Sequence, residues 1–485
     1  MKVKKNYMKV AAHYNAKAIM IVLLIGSFIS LINETILNVA LPTLMVEMHI
    51  TATTAQWLTT GYVLVVGILV PVTAFLIHTF TTKQLFLSAM TLFLVGTILA
   101  VFSTSFPGLL ISRLIQASGT GMLIPILMNT ALVVNPPEKR GSAMALCISV
   151  ITLGPALSPT VSGLLLQFFN WNSLFIFLIP ILIACMVSGY VLLANTSVIT
   201  KPKIDYLSIL LSSIGFAGVI YAISSVGTTS ILTIIIFFTI GLIALILFGK
   251  RQLLLKQPIL ELRSFKHPVF TIGVILVVIM QMLQFSMGMI IPMLLQNGLK
   301  TSSFVSALVL LPAILIMAIL TPFVGKVYDK IGGKILISSG FAIICIFTLL
   351  LSRITPSTSI TTITILYCFI CIGISMSMSP IQTNSLNEIS RKNQADGIAI
   401  LNTAMQIAGA FGSALFLGIM SAYQNSYLKN VSSLDNSQNQ VSAIYNGFGH
   451  SLSVAAIIIA VGLILTLLLR RDSKKFTEKE VQARS

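Results

Sequence analysis

Long apolar runs constrain this chain more than any other feature. Stretches of about twenty residues with few charges recur between short polar breaks, and about twenty such residues in a helix cross a bilayer. The runs lack the two-residue alternation of a lipid-facing strand. Of 485 residues, 56% are hydrophobic and 9% charged, and the mean hydropathy is +0.99, beyond the range of a water-soluble domain of this size. The fold class expected is therefore an all-α integral membrane protein. Spans are expected near 18–44, 54–80, 84–103, 107–135, 141–168, 171–194, 205–225, 229–249, 268–296, 302–327, 333–352, 359–388, 394–422 and 448–470. Fourteen crossings put both termini on one side.

A formal charge of +18 raises the question of a nucleic-acid partner, and its distribution answers it. Of 30 basic residues, 26 fall on the side of the termini, three (Lys300, Arg353 and Lys429) in the opposite loops, and Arg113 inside a span. This is the positive-inside bias, which orients both termini to the cytoplasm and leaves no charge to be explained by nucleic acid. The lipid bilayer is the surrounding partner, and the expected location is a cell membrane with both termini on its cytoplasmic side. Cys147, Cys185, Cys345, Cys368 and Cys371 all fall within spans without metal-ligand spacing and read as small packing residues. No metal site and no cofactor are expected. The first apolar run is too long for a cleavable signal.

Membrane carriers are often built from repeated halves, and one pattern occurs twice here. "GKVYDKIGGK", residues 325–334, lies between spans ten and eleven, and "AFLIHTFTTK", residues 74–83, lies between spans two and three. If each links the second and third helices of a six-helix half, the organisation is a cytoplasmic N-terminus (1–17), a first half (18–194), two inserted helices (195–250), a cytoplasmic linker (251–267), a second half (268–470) and a cytoplasmic tail (471–485).

The motifs resemble those of the major facilitator superfamily, and within it the fourteen-helix drug:H+ antiporters, with similarity to the lincomycin and multidrug exporters of Gram-positive bacteria. "GKVYDKIGGK", with Gly325, Asp329, Lys330, Gly332 and Lys334, is similar to the superfamily's cytoplasmic signature. "RLIQASGTG", with Arg113, Gln116, Gly119 and Gly121, resembles the fourth-helix motif; "GPALSPTVSG", with Gly154, Pro155, Pro159 and Gly163, resembles the fifth-helix antiporter motif; "ETILNVALP" resembles the first-helix motif. The resemblance spans nearly the whole chain. It implies two six-helix halves around a central cavity that opens alternately to either side, with Gly and Pro of the motifs serving conformational change. Two positions depart from the pattern. Asn33 stands where the family commonly has an aspartate, with the acid one residue later at Glu34, and Ala74 and His78 replace the glycine and aspartate of the first cytoplasmic link.

Sorting the twelve acids by depth isolates one. Glu138, Asp205, Glu261, Asp329, Glu388, Asp396, Asp472, Glu478 and Glu480 lie at or near the cytoplasmic face, Glu47 and Asp435 lie outside, and Glu34 alone lies deep. An ionisable group inside a membrane is by default a functional-site hypothesis. At about 1.5 Å per residue, Glu34 sits roughly 15 Å below the outer end of span one and Arg113 roughly 9 Å below the outer start of span four. The arginine is long enough to bridge that offset, and its charge favours the carboxylate whereas desolvation favours the neutral acid. Glu34 and Arg113 are therefore the expected proton-coupling residues; a static ion pair is the alternative. Polar and soft side chains in spans that the family fold places around the cavity are candidate substrate contacts: Asn33, Asn38, Gln56, Trp57, Tyr62, Asn129, Gln281, Gln284, Met287, Met376, Met378, Gln382, Asn402 and Gln406. Packing between helices is the competing role for each. Asp329 is expected to tie its loop to helix ends.

The expected function is proton-coupled export of small amphipathic, drug-like molecules by a monomer, with H+ as the second ligand and the proton gradient as the drive. Export of an endogenous metabolite, lipid or peptide by the same cycle is the alternative. A channel or sensor is disfavoured because a potassium-type filter, charged pore rings and an appended soluble domain are absent from the sequence. No phosphate-binding G-x-x-x-x-G-K-[ST] motif and no nucleophile, base and orienter set suggests a pump driven by ATP or an enzyme.

Overall fold

A run that is apolar on every side must be helical in lipid, where each N–H and C=O needs a partner within its own segment. The computed structural model describes residues 15–469 apart from 51, 197–198, 200–204, 225–228, 256–257, 302, 391–392 and 431–435. Among the described residues there is no strand, and fourteen helices are long and apolar enough to cross a membrane. The tail 471–485 and Gln56's side chain lie outside what is described.

The long helices are α1 (Ala16–Thr35), α2 (Ala52–Thr79), α3 (Thr82–Val101), α4 (Phe106–Val134), α5 (Arg140–Phe168), α6 (Leu178–Leu192), α7 (Tyr206–Ser224), α8 (Ile231–Leu254), α9 (Pro268–Met293), α10 (Ser303–Ile331), α11 (Gly333–Leu351), α12 (Ile360–Asn387), α13 (Gln394–Asn430) and α14 (Asn436–Leu467). Polar caps start several of them. Asn15 accepts from the N–H of Lys17 and Ala18, Thr81 and Gln84 form a capping box, and Ser230 and Ser359 cap α8 and α12.

Contacts repeat with an offset of eight helices. α1 packs on α4, α5 and α6, as α9 packs on α12, α13 and α14; α4 packs on α2 and α3, as α12 packs on α10 and α11. The two groups meet where α5 lies against α10 and α2 against α13. α7 leans on α2 and α13, and α8 packs chiefly on α7 and is otherwise largely exposed. At the start of α7, Asp205 accepts from Arg251 Nε and Nη2 of α8 at 2.8 and 2.9 Å, which holds its carboxyl down at about 2.

Several ends differ from the hydropathy reading. The first span is not one helix to residue 44: α1 ends at Thr35, continues as a 3-10 turn over Ile36–Val39, and a separate helix covers Leu41–Glu47. The polar outer stretch 422–446 is mostly helix, because α13 runs to Asn430 and α14 starts at Asn436. Hydropathy locates the lipid boundary, and these helices continue past it. α10 likewise runs on to Ile331, so Asp329 is helical, and Gly332 makes the link to α11 at φ 82, a conformation that glycine adopts without steric cost.

Candidate functional site

The break in α1 builds the site. Pro42, in the first turn of the following helix, lacks the N–H that a continuous helix would direct back to Asn38. The carbonyls around the break are taken up by side chains of neighbouring helices. Ser158 Oγ donates to the Ile32 carbonyl at 2.9 Å and Ser162 Oγ to that of Ile36 at 2.8 Å. Arg113 donates from Nη1 to the Asn33 carbonyl at 2.9 Å and from Nη2 to the Glu34 carbonyl at 2.8 Å. Non-helical backbone at membrane depth persists only where it is satisfied in this way.

Arg113 is fully buried, and a buried charge needs compensation. It also donates from Nη1 to Gln116 Oε1 at 3.1 Å and from Nε to the Leu58 carbonyl at 3.4 Å. Its guanidinium lies 4.1 Å from the centre of the Tyr62 ring, a cation–π contact. Around it runs a chain of amides and hydroxyls: Asn33 Nδ2 to Gln116 Oε1 at 3.1 Å, Gln116 Nε2 to Thr97 Oγ1 at 2.9 Å, and Tyr62 with Thr120 at 2.6 Å.

The expected contact between Arg113 and the Glu34 carboxylate is not made. The guanidinium grips the backbone of residues 33 and 34, and among the described residues the carboxylate has no ion-pair or hydrogen-bond partner. It lies within electrostatic range of Arg113 and Tyr62 and is half-buried. The depth offset also closes. With the span ending at Val39, the acid lies about 9 Å below its outer end, close to the depth of Arg113. The arrangement is an acid at a helix break, beside a positive charge that is solvated by dipoles and a ring, and able to gain or lose a proton without breaking a salt bridge.

Other candidate residues divide by surroundings. Asn38 is exposed and accepts from Thr59 Oγ1 at 2.9 Å. Trp57 stacks on Tyr221 with ring centres 5.6 Å apart, and with Leu64, Gly218, Phe237 and Ile240 lines an apolar cavity of about 500 Å³ between α2, α7 and α8. Gln281 and Gln382 are buried, each with a side-chain oxygen lacking a partner. Gln382 donates to the Met405 sulfur at 3.5 Å and Asn402 to the Met128 sulfur at 3.4 Å, the latter joining α13 to α4. Asn129 is buried, and Gln284 and Gln406 are half-buried. Met287 and Met378 are core residues, and Met376 packs against the Val324, Tyr328 and Leu336 cluster between α10, α11 and α12. For these methionines packing is the observed role.

The motif glycines are not equivalent. A Cβ at Gly119 would collide with the Ala89 carbonyl of α3, one at Gly121 would press on α2, and one at Gly154 would meet Leu31 of α1, whereas one at Gly163 meets nothing within 4 Å. Pro155 is half-buried, and the side chain of Pro159 is outside those described.

At the end where α1 begins and α14 finishes, here the inner end, the halves are latched. Asp329 accepts from the N–H of Gly141 at 2.9 Å and of Ser142 at 3.0 Å, and from the Ser142 hydroxyl, so it caps α5 from the other half. Gly325 lets α10 approach Gly141 and Ala145. Arg140 donates to Asn387 at 3.1 Å, and His78 Nε2 lies 3.6 Å from Asp396 Oδ1. Lys330 is exposed, and Lys334 donates to the Leu467 carbonyl at 2.9 Å. Among the described residues, hydrogen bonds and ion pairs between the two groups of helices all fall in the inner half of the bundle, while Glu34 lies in the outer half.

Sequence reasoning passed over Ser158, Ser162, Thr97 and Thr120. A spacing of four places Ser158 and Ser162 on one face of α5, and that pattern was available in "GPALSPTVSG". Which carbonyls they would meet was not, since this depends on where α1 breaks.

Comparison with known proteins matches residues 23–413 to the Major Facilitator Superfamily model. The chain is 43% identical to the lincomycin resistance protein LmrB of Bacillus subtilis over 467 residues, 96% of this chain and 98% of that protein. It is 25% identical to the riboflavin transporter RibZ of Clostridioides difficile, covering 94% and 98%, and 25% identical to the multidrug export protein EmrB of Haemophilus influenzae, covering 81% and 78%. Among solved structures, the human organic anion transporter MFSD10 aligns with a TM-score of 0.65 at 12% identity over 94% of this chain and all of that one. The proton:xylose symporter XylE aligns with a TM-score of 0.64 at 15% identity over 94% and 95%.

Proposed function

The chain belongs to the Major Facilitator Superfamily, and from that premise we propose that it is a proton-coupled multidrug efflux antiporter of a bacterial cytoplasmic membrane. Both termini face the cytoplasm, amphipathic drug-like molecules leave by alternating access, and protons enter in exchange. The observation that carries the coupling is the Glu34 carboxylate, half-buried beside Arg113 and without a partner among the described residues. Arg113 stays charged and holds the α1 break through the backbone. Protonation of Glu34 removes the attraction between the acid and that fixed charge, so loading and release of H+ change the electrostatics between α1 and α4. The multidrug and lincomycin resistance names of the relatives support a drug-like cargo. The sequence halves 18–194 and 268–470 are the two rocking bodies, with 195–250 as an added pair, and the working unit is the monomer.

The test is the purified protein in liposomes under an imposed pH gradient, with movement of a fluorescent dye and of lincomycin recorded for wild type and Glu34→Gln. Gradient-driven movement in the wild type that is lost in the variant is the expected result, and movement that survives the substitution refutes the coupling role. A second reading, export of an endogenous metabolite, is favoured by the similarity over nearly the whole chain to a protein named for riboflavin. It gains if neither dye nor lincomycin moves.

A further inference from the structure

We propose that the cavity between α2, α7 and α8 is a second ligand site, reached from the bilayer, for a flat, uncharged aromatic molecule. The inference stands apart from the proton-coupling reading, because among the described residues neither Arg113 nor Glu34 borders this space. α2 holds the arginine through the Leu58 carbonyl and the Tyr62 ring, while Trp57 and Leu64 of the same helix line the cavity. On α7 the lining residues Ile214, Ala217, Gly218 and Tyr221 recur at helical spacing and so form one stripe.

Access and charge restrict the occupant. The outer wall is α8, which packs chiefly on α7 and leaves Phe237 and Ile240 exposed. In a chain that spans a membrane those side chains meet lipid, so a molecule arriving there has already left water. No lining residue carries a charge, and a charged group placed among them would go uncompensated. The occupant is therefore uncharged.

Ring geometry and breadth select a flat aromatic molecule over a hydrocarbon chain. Trp57 and Tyr221 stack at 26° with ring centres 5.6 Å apart, and Phe237 tilts against Tyr221 at 58° with centres 4.6 Å apart. The wall thus presents three rings in contact, and a further π-system adds offset or edge-on contacts that a saturated chain cannot make. The small side chains at Ala217 and Gly218 leave room beside them. From Trp57 to Leu64, and again from Ile214 to Tyr221, the wall runs about 10 Å along its helix. A volume of about 500 Å³ over that length is broader than one extended hydrocarbon chain, and it falls within the range of small-molecule pockets, about 300–1,000 Å³.

The chain has two tryptophans, and Trp171 lies elsewhere, donating to Glu47, so Trp171→Phe makes indole emission a report on this cavity. With that full-length protein in lipid nanodiscs, anthracene should quench the emission saturably, above a linear background from its partition into lipid. Phe237→Ala should weaken the saturable binding about three- to tenfold, and Ala217→Phe, which fills the space, should abolish it. Tetradecane, with the same number of carbons in a saturated chain, should compete at least about tenfold less well than unlabelled aromatic of equal size. Quenching without a saturable part, or a saturable part that either variant leaves unchanged, overturns the proposal. Equal competition by tetradecane overturns it too, and makes the cavity a seat for a lipid chain. If Ala217→Phe does not accumulate, Phe237→Ala, altered at a side chain that is exposed in the protein, and the tetradecane comparison decide. If Trp171→Phe does not accumulate, the difference in quenching between wild type and Trp57→Phe gives the same measurement. Binding is read without transport, so its failure and a failure of coupling at Glu34 are told apart.

Discussion

At the residue scale, Arg113 holds backbone while the Glu34 carboxylate stays apart from it. The arginine spends its donors on the carbonyls of Asn33, Glu34 and Leu58 and on Gln116, which fixes the α1 break and keeps a positive charge at constant position. The glutamate carboxylate has no ion-pair or hydrogen-bond partner among the described residues. A lysine has one ammonium and cannot span two carbonyls in the planar fork geometry of a guanidinium. Arg113→Lys should therefore lower stability by about 2 kcal/mol, the scale of one lost charge-assisted hydrogen bond, and depress transport even though the charge is kept; thermal unfolding in detergent and initial rates in liposomes check the two effects. The acid was legible in the sequence because a lone carboxylate in an apolar run is costly. Its bonding was not, because the partner of a guanidinium is set by where a neighbouring helix exposes its carbonyls.

At the element scale, α1, α4 and α5 are joined by hydrogen bonds from Arg113, Ser158 and Ser162 to the backbone of the first span as well as by apolar packing. Without a hydrophobic difference between lipid and helix, close backbone approach and hydrogen bonds supply the association. A Cβ at Gly119 would meet the backbone of α3 and one at Gly163 would meet nothing within 4 Å, so the two motif glycines should respond differently to the same change. Gly119→Ala should destabilise by about 1–3 kcal/mol through forced separation of α3 and α4, while Gly163→Ala should stay within about 0.5 kcal/mol of wild type. Both are read as shifts in the unfolding midpoint in detergent. The added hairpin offers a pH test. Asp205 has its carboxyl lowered from an ordinary 3.8 to about 2, first by the hydrogen bonds from Arg251. A lowered acid contributes stability that is present above its unfolded value and is lost as pH falls through the folded one. Asp205→Asn should thus cost about 1 kcal/mol at pH 7 after allowance for partial exposure, and the difference from wild type should shrink as the pH drops below about 4 toward 2.

For the whole molecule, the contacts at the inner end join the two groups of helices. Asp329 caps a helix of the opposite half, so Asp329→Asn removes charge from three contacts at once and should shift the population toward inner opening. Labelling of a cysteine at position 402 by a membrane-impermeant thiol reagent applied from the inner side should then speed up about tenfold; an unchanged rate would mean that the cap does not hold the gate. Chain hydropathy by itself determined that this is a helical membrane protein with fourteen crossings, and the spacing of "AFLIHTFTTK" and "GKVYDKIGGK" marked two comparable links. Those properties are local: transfer of about twenty residues into lipid is decided residue by residue, and a repeated motif is visible wherever it lies. Only the tertiary structure decided that α1 breaks one residue beyond Glu34, that the polar outer segment is helix, that Arg113 holds backbone instead of carboxylate, and that His78 meets Asp396 across the halves. Each of those depends on which atoms of distant segments come within about 3 to 4 Å, a quantity fixed by packing after the helices have formed.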